Sequence, residues 1–242
     1  MTEWQGKWTL VTGSSRGIGR QVALGLAEHG CNIIVHGRAE DHCREVLEEV
    51  TAHGVEGVVV AGELGTDAGE AALIDAVRAL RRPVDILYNN AGVMSPWNDC
   101  IFDIPMGAWE QVFRINFFSM VHLCNAFVPG MVERGWGRVV NVTSGMKDQP
   151  QLSPYSVSKA AVDKYTLDLA AELQGSGVLV NTMDPGWLRT DLGGPYADHA
   201  VDSVLPGALV PVLLDEAEGS GRMYAAQEYH WSESDSGERG GS

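Results

Sequence analysis

Short apolar runs alternate with longer helical stretches along nearly the whole chain. Most of the short runs are continuous and rich in valine and isoleucine, which is typical of strands that are covered on both faces. We predict strands at Trp8–Val11, Asn32–His36, Gly57–Ala61, Asp85–Tyr88, Arg138–Val142, Val178–Thr182 and, from a weaker signal, Arg222–Ala226. The helical candidates lie near residues 17–29, 39–53, 67–81, 107–127, 153–174 and 200–214.

This alternation indicates βαβ units with right-handed crossovers, and therefore a parallel sheet. We expect an α/β protein with a doubly wound Rossmann fold of about seven mostly parallel strands and helices on both faces. No internal repeat or change in composition divides the chain. We therefore predict one domain over residues 1–231, followed by a flexible tail over residues 232–242, where the sequence becomes low in complexity.

Composition narrows the possible partners and the compartment. The 17 Lys and Arg residues against 32 Asp and Glu residues give a net charge of −15, which disfavours binding to nucleic acids and to anionic membranes. The cysteines form no CxxC pair or zinc-ligand spacing, so we expect free thiols and no metal site. The longest uncharged apolar stretch, residues 115–132, contains several polar residues and Pro129, which favours a buried helix over a membrane span. No targeting segment is evident, and we expect a cytoplasmic protein.

The first predicted strand leads directly into the glycine-rich sequence Thr12–Gly19. Glycines at such a turn let the backbone approach a pyrophosphate, whose charge the following helix N-terminus stabilises. A glycine-rich turn is weak evidence alone, but its position in the first βαβ unit favours a dinucleotide site. The candidate nucleotide contacts here are Gly13, Ser15, Arg16, Gly17, Ile18 and Gly19.

The end of the second strand bears on the choice of nucleotide. NAD-specific enzymes usually place an acidic residue there to bind the ribose hydroxyls, whereas this chain has Gly37 followed by Arg38. Together with Arg16, Arg38 could clamp a 2′-phosphate, although both could also be ordinary surface arginines. We expect NADP(H) rather than NAD(H) as the cofactor.

Tyr155 and Lys159 are four residues apart in the helix predicted near residues 153–174. This spacing puts the phenol and the ammonium on one helix face, where the cation can lower the pKa of the phenol from about 10. A tyrosine with such a neighbour can serve as a proton donor near neutrality. The pair alone could arise by chance, so its weight depends on the other motifs.

The glycine spacing G-x-x-x-G-x-G resembles that of the short-chain dehydrogenase/reductase family, in its NADP(H)-preferring, carbonyl-reductase-like branch. The resemblance implies that Tyr155 and Lys159 belong to a catalytic set with Ser144 and Asn116. Ser144 ends the fifth strand and would bond the reacting oxygen, although the loop before Tyr155 is shorter than usual and Thr143 is an alternative. Asn116 would hold a water that relays protons, unless it is a buried asparagine that caps a helix kink.

The same resemblance assigns further contacts with the cofactor. Asn90, Ala91 and Gly92 match the segment that lines the ribose side, and Pro185, Gly186, Trp187 and Thr190 match the segment near the nicotinamide and the phosphates. Glu63 and Leu64 stand where the family usually has an aspartate followed by an apolar residue near the adenine. The glutamate departs from that pattern, which leaves its contact open.

These motifs imply an oxidoreductase that transfers hydride between a nicotinamide and a small carbonyl or alcohol substrate, with Tyr155 as the proton donor or acceptor. Two alternatives are an NADP(H)-binding redox sensor without turnover and a nucleotide-retaining epimerase or dehydratase. The candidate substrate-lining residues suggest an apolar or aromatic substrate, though they could equally be core or lid residues: Met94, Met146, Leu152, Trp187, Leu192 and Tyr196. The resemblance also implies a homotetramer or homodimer built on the helices near 107–127 and 153–174. The uncharged face with Phe117, Met120 and Phe127 is consistent with burial against a partner, although packing within the chain would explain it as well.

Overall fold

A single parallel sheet forms the centre of the protein. The structure, a computed structural model, describes residues 4–215 and 218–230, so the predicted tail at 232–242 lies outside the described residues. The seven strands run in the order β3-β2-β1-β4-β5-β6-β7, and every neighbouring pair is parallel. They are β1 Trp8–Val11, β2 Asn32–Gly37, β3 Gly57–Ala61, β4 Ile86–Asn89, β5 Gly137–Val142, β6 Val178–Asp184 and β7 Met223–Ala225. The doubly wound fold predicted from the sequence is confirmed.

Helices cover both faces of this sheet. They are α1 Gly17–Glu28, α2 Arg44–Ala52, α3 Asp67–Ala79, α4 Met106–Phe113, α5 Ser119–Arg134 and α6 Ser153–Glu172. One apolar core lies beneath α1 and α2, and a second lies beneath α3, α5 and α6. The two cores account for the continuous apolar strands, because each strand buries side chains on both faces.

The helix predicted near 107–127 runs from Met106 to Arg134 and contains one π turn, Arg114–Phe118, between α4 and α5. This helix is long and apolar enough to cross a membrane, with a mean hydropathy of 1.4 over its most apolar window. Leu123 and Met131 are nevertheless fully buried against the sheet. We therefore interpret it as a core helix.

The prediction of a helix at 200–214 is wrong. The segment forms two short 3₁₀ turns, Val201–Val204 and Gly207–Leu209, instead of an α-helix. Pro206 and Pro211 both lie within it, and neither can donate the backbone hydrogen bond that a helix interior requires. The apolar periodicity that suggested a helix serves packing, since Val204, Leu209 and Val212 are buried in the core beneath α1.

Candidate active site

The carboxyl ends of β1 and β4 form the crevice where the chain reverses its direction of winding, which is the usual ligand site of such sheets. The turn after β1 needs glycine at two left-handed positions, Gly13 with φ 64° and Gly17 with φ 58°. At Gly19, the first turn of α1 lies so close to the turn that a Cβ would be 2.5 Å from the Gly13 carbonyl oxygen. Glycine at these positions therefore lets the turn pack tightly against the start of α1.

The turn after β4 is bonded directly to the glycine turn. The Asn90 side-chain amide donates hydrogen bonds to the carbonyl oxygens of Thr12 (2.9 Å) and Gly13 (3.2 Å). The Thr12 hydroxyl accepts bonds from the backbone N–H groups of Asn90 and Ala91, both at 3.0 Å. Asn90 and Ala91 thus hold the two sides of the crevice in a fixed relation.

The two arginines predicted to hold a 2′-phosphate have different surroundings. Arg38 is exposed and makes no hydrogen bond or ion pair within residues 4–215 and 218–230. Arg16 instead pairs with Asp191 at 2.5 Å, and both side chains are largely exposed. A Cβ on Gly37 would lie 2.6 Å from the Cys43 sulfur, so a side chain at this position would require that sulfur to move.

Glu63 and Leu64 follow β3 and have separate environments. The exposed Glu63 carboxylate accepts the N–H of Gly65 at 3.0 Å, so it caps its own loop. Leu64 is buried and lines a small cavity behind the crevice, together with Thr12, Asn116 and Lys159.

Ser144 and Tyr155 lie near each other, close enough for the Ser144 hydroxyl to lower the pKa of the phenol. Burial is the main cause that raises the pKa of Tyr155 to about 12; Ser144 opposes the rise, and the Asp184 charge adds to it. Thr143 points elsewhere, since its hydroxyl donates to the carbonyl oxygen of Lys159 at 3.5 Å. The geometry therefore favours Ser144 over Thr143 as the partner of the tyrosine.

Lys159 is buried, and its ammonium donates a hydrogen bond to the Val142 carbonyl oxygen at 2.7 Å. Burial lowers the pKa of Lys159 to about 8, an effect that the nearby Asp163 carboxylate opposes. The expectation that Lys159 lowers the pKa of Tyr155 is wrong, since that pKa is raised. Desolvation of the phenol dominates, and the ammonium lies 5.7 Å from the centre of the ring.

Asn116 lies in the π turn, and its side chain makes three hydrogen bonds with the protein. Its oxygen accepts the Val93 N–H at 2.8 Å, and its amide donates to the Val93 carbonyl (3.0 Å) and to the Ser158 hydroxyl (3.1 Å). Ser158 in turn donates to the carbonyl oxygen of Tyr155 at 2.7 Å. Asn116 therefore ties the loop after β4 to the helix turn that carries the tyrosine, whereas its predicted role in holding a water stays a prediction.

The segment after β6 closes the crevice from the other side. Thr190 lies against the glycine turn, with its methyl group 3.6 Å from the position of a Cβ on Gly17. The Trp187 indole is half exposed and donates to the Gly193 carbonyl oxygen at 2.8 Å. Pro185 and Gly186 lead into this segment, whose fold brings Trp187 and Thr190 to the same edge as Tyr155.

Sequence reasoning missed Asp184, the last residue of β6. Its carboxylate accepts the N–H groups of Gly145 and Gly186, each at 3.0 Å, and so joins the loops that follow β5 and β6. A Cβ on Gly145 would lie 2.5 Å from this carboxylate. The available signal was a carboxylate at a strand end, immediately before a Pro-Gly turn.

Comparisons with known proteins agree with this geometry. The protein-family model described as short chain dehydrogenase matches residues 7–200 of this chain. A short chain dehydrogenase of Pseudocercospora fijiensis is 34% identical over 82% of this chain, which spans only 64% of that relative. A 3-oxoacyl-[acyl-carrier-protein] reductase of Staphylococcus epidermidis is 32% identical, with 82% of each chain covered. Among solved structures, an NADP-bound 3-oxoacyl-(acyl-carrier-protein) reductase of Agrobacterium tumefaciens is 28% identical with a TM-score of 0.81, covering 92% of this chain and 93% of that one.

Proposed function

This chain belongs to the short-chain dehydrogenase family, and from that premise we propose that it interconverts a small carbonyl compound and its alcohol with NADP(H) as the cofactor. The observation that carries the proposal is the contact between Ser144 and Tyr155 beside a buried Lys159, at the same sheet edge as the glycine turn. A redox sensor without turnover would have no need of this set of three.

The crevice fits a nicotinamide nucleotide. The left-handed backbone at Gly13 and Gly17, two positions without side chains, lets a pyrophosphate approach the N-terminus of α1. At Gly92 a Cβ would lie 3.7 Å from the Lys159 ammonium, so the lack of a side chain there keeps the approach to the lysine open. When bound, the nicotinamide supplies or accepts the hydride.

Each catalytic side chain has a role that its surroundings support. Ser144 donates a hydrogen bond to the substrate oxygen and orients it. Tyr155 stays protonated at neutral pH because burial raises its pKa to about 12, and its hydroxyl can donate a proton to that oxygen. Lys159, with a pKa of about 8, carries its positive charge at neutral pH and stabilises the negative charge that develops on the phenol. Asn116 fixes the helix turn that presents Tyr155.

We infer a neutral substrate with an apolar or aromatic substituent. Large apolar side chains are exposed in the loops that follow β4 and β6, at the same edge as Tyr155: Trp97, Ile101, Phe102, Trp187, Leu192 and Tyr196. Trp187 and Leu192 are half exposed, as expected of residues that cover a substrate, whereas Tyr196 is 89% exposed. Arg189 in the same region is already bonded to the carbonyl oxygens of Ala197 and Asp198 and offers little to an anionic substrate.

The direct test is NADPH consumption with aryl and alkyl ketones, quinones, β-ketoacyl thioesters and sugars. We expect turnover to be fastest with neutral aryl or alkyl ketones. Turnover confined to the charged thioesters would contradict the inferred substrate class while leaving the reaction type intact. No turnover with any carbonyl compound, despite NADPH binding, would favour the redox-sensor alternative.

Arg38→Asp should reverse the preference for NADPH. Arg38 is free among the described residues, so it can donate charge-assisted bonds to a 2′-phosphate, worth about 1–3 kcal/mol. The substitution removes that contact and places a like charge beside the phosphate. Calorimetric titration of both nucleotides should show a loss of NADPH affinity with little change for NADH. Equal affinity of the unmodified protein for the two nucleotides would refute the assignment.

We propose a homodimer or homotetramer that forms through α4, α5 and α6. Met120 and Phe127, which the sequence suggested as contacts, are buried in the chain's own core instead. Phe118, Val157 and Leu167 on the same helices are about half exposed and could contact a second copy.

Light scattering should therefore report two or four times the 26.1 kDa of one chain. Leu167→Glu should shift the protein toward the monomer, whereas a change at the exposed Lys164 should not. A mass near that of one chain for the unmodified protein at micromolar concentration would contradict the assembly.

A further inference from the structure

His36 is a buried histidine at the end of β2, only 2% exposed, and the motifs assign it no role. Its backbone joins β2 to the glycine turn, since its N–H donates to the Ser14 hydroxyl and its carbonyl accepts the Ser14 N–H, both at 2.9 Å. The side chain adds two more bonds in the same region. His36 is thus a junction of β1, β2 and β3.

The two ring nitrogens have different partners. Nδ1 accepts the backbone N–H of Gly13 at 3.0 Å, and Nε2 lies 3.1 Å from the Gly62 carbonyl oxygen at the end of β3. An N–H and a carbonyl are both satisfied only when the proton is on Nε2 and the ring is neutral. Burial favours the same state and lowers the pKa of His36 to about 4, although the Glu63 charge opposes the shift.

Gly13 is the residue through which this histidine can influence the nucleotide crevice. Its N–H is held by His36 and its carbonyl by Asn90, so its left-handed peptide is fixed from both sides. The first turn of α1 packs directly on the same carbonyl at Gly19. A shift of the Gly13 peptide would therefore displace the backbone that faces the pyrophosphate.

We propose that His36 is a positioning residue for the nucleotide, acting through the bond from the Gly13 N–H to its Nδ1. This inference rests on the proposed function, because it assumes that the glycine turn binds NADP(H). His36 does not touch the reacting atoms. We expect it to set the affinity for the cofactor and to leave the chemical step unchanged.

Two amide substitutions test the two hydrogen bonds of the His36 ring separately. In His36→Asn, the side-chain oxygen can occupy the place of Nδ1 and accept the Gly13 N–H, while the Gly62 bond is lost. In His36→Gln, the amide nitrogen can reach the place of Nε2 and donate to Gly62, which leaves the buried Gly13 N–H without an acceptor. Both variants are polar and similar in size, so they form a matched pair.

Calorimetry with NADPH should give an affinity close to the original for His36→Asn and about 10-fold weaker binding for His36→Gln. With a turnover substrate, KM for NADPH should rise in the glutamine variant while kcat stays nearly unchanged. Equal affinity in the two variants, with comparable melting temperatures, would overturn the proposal.

A measurement on the unmodified protein keeps the inference testable if a variant fails to fold. Nitrogen-15 NMR of the His36 ring should show the neutral form with the proton on Nε2 at pH 6 and a change of the Nδ1 signal when NADPH binds. A ring that is protonated at that pH would overturn the proposal. Failure of the unmodified protein to bind NADPH at all would instead refute the proposed function.

Discussion

Tyr155→Phe should reduce turnover by about 10²–10⁴-fold, the range that a positioned proton donor supplies. The substitution removes one hydroxyl and keeps the ring, which packs as a buried side chain on α6. The glycine turn and Lys159 are untouched. NADPH affinity should therefore remain within a few-fold of the original, and the loss should appear in kcat.

Tyr165→Phe provides the matched control for this measurement. Tyr165 lies on the same helix and packs edge-on against Phe117, away from the glycine turn. It also loses only a hydroxyl, and steady-state turnover should be nearly unchanged. Should Tyr155→Phe reduce its best substrate at close to the original rate, the catalytic role of Tyr155 would have to be abandoned.

Lys159→Met should lower turnover by at least about 10²-fold and alter its dependence on pH. Burial lowers the pKa of the ammonium to about 8, so the charge is present below that pH and is lost above it. In the unmodified enzyme, kcat/KM for ketone reduction should be constant below about pH 8 and fall at higher pH. The methionine variant should lack this ionisation, since the free-enzyme profile reports the groups that act in catalysis.

The same variant should be more stable than the original. A lysine whose folded pKa is below its unfolded value of about 10.5 weakens folding below about pH 8, and the weakening disappears as pH rises through about 10.5. Its replacement should raise the free energy of unfolding at pH 7 by up to about 3 kcal/mol. Lys164→Met, at an exposed site on the same helix, is the control for both readouts. Unaltered activity in Lys159→Met would exclude the assigned role, and thermal unfolding would show that lost activity does not reflect lost structure.

The sequence predicted the sheet well because its strands bury both faces and therefore read as continuous apolar runs. Gly57–Ala61 and Trp8–Val11 have the predicted bounds, whereas Val178–Asp184 extends two residues further, into the site. The helix predicted at 200–214 was wrong because apolar spacing indicates which residues are buried. It does not take account of the two prolines, which cannot donate the backbone hydrogen bonds of a helix interior. Apolar patterns therefore predict which residues are buried more reliably than they predict the secondary structure of the segment.

The candidate site shows a similar division. Ser144, which the family resemblance assigned, follows β5 at the carboxyl edge of the sheet, and the start of α6 brings Tyr155 to the same edge. Electrostatics could not be predicted in the same way. The Tyr155 pKa depends on desolvation, and the pairing of Arg16 with Asp191 joins residues from two distant loops. His36 looked like an ordinary strand residue because its two partners are backbone groups, which carry no signal in the sequence.

The crowded contact between Gly37 and Cys43 also limits which substitutions position 37 accepts. An aspartate at position 37 would need a Cβ where the Cys43 sulfur lies 2.6 Å away. An acidic residue there would require the Cys43 sulfur to move, whereas a smaller residue at position 43 would make room for it. Gly37→Asp together with a smaller residue at position 43, in the turn before α2, should therefore be better tolerated than Gly37→Asp alone.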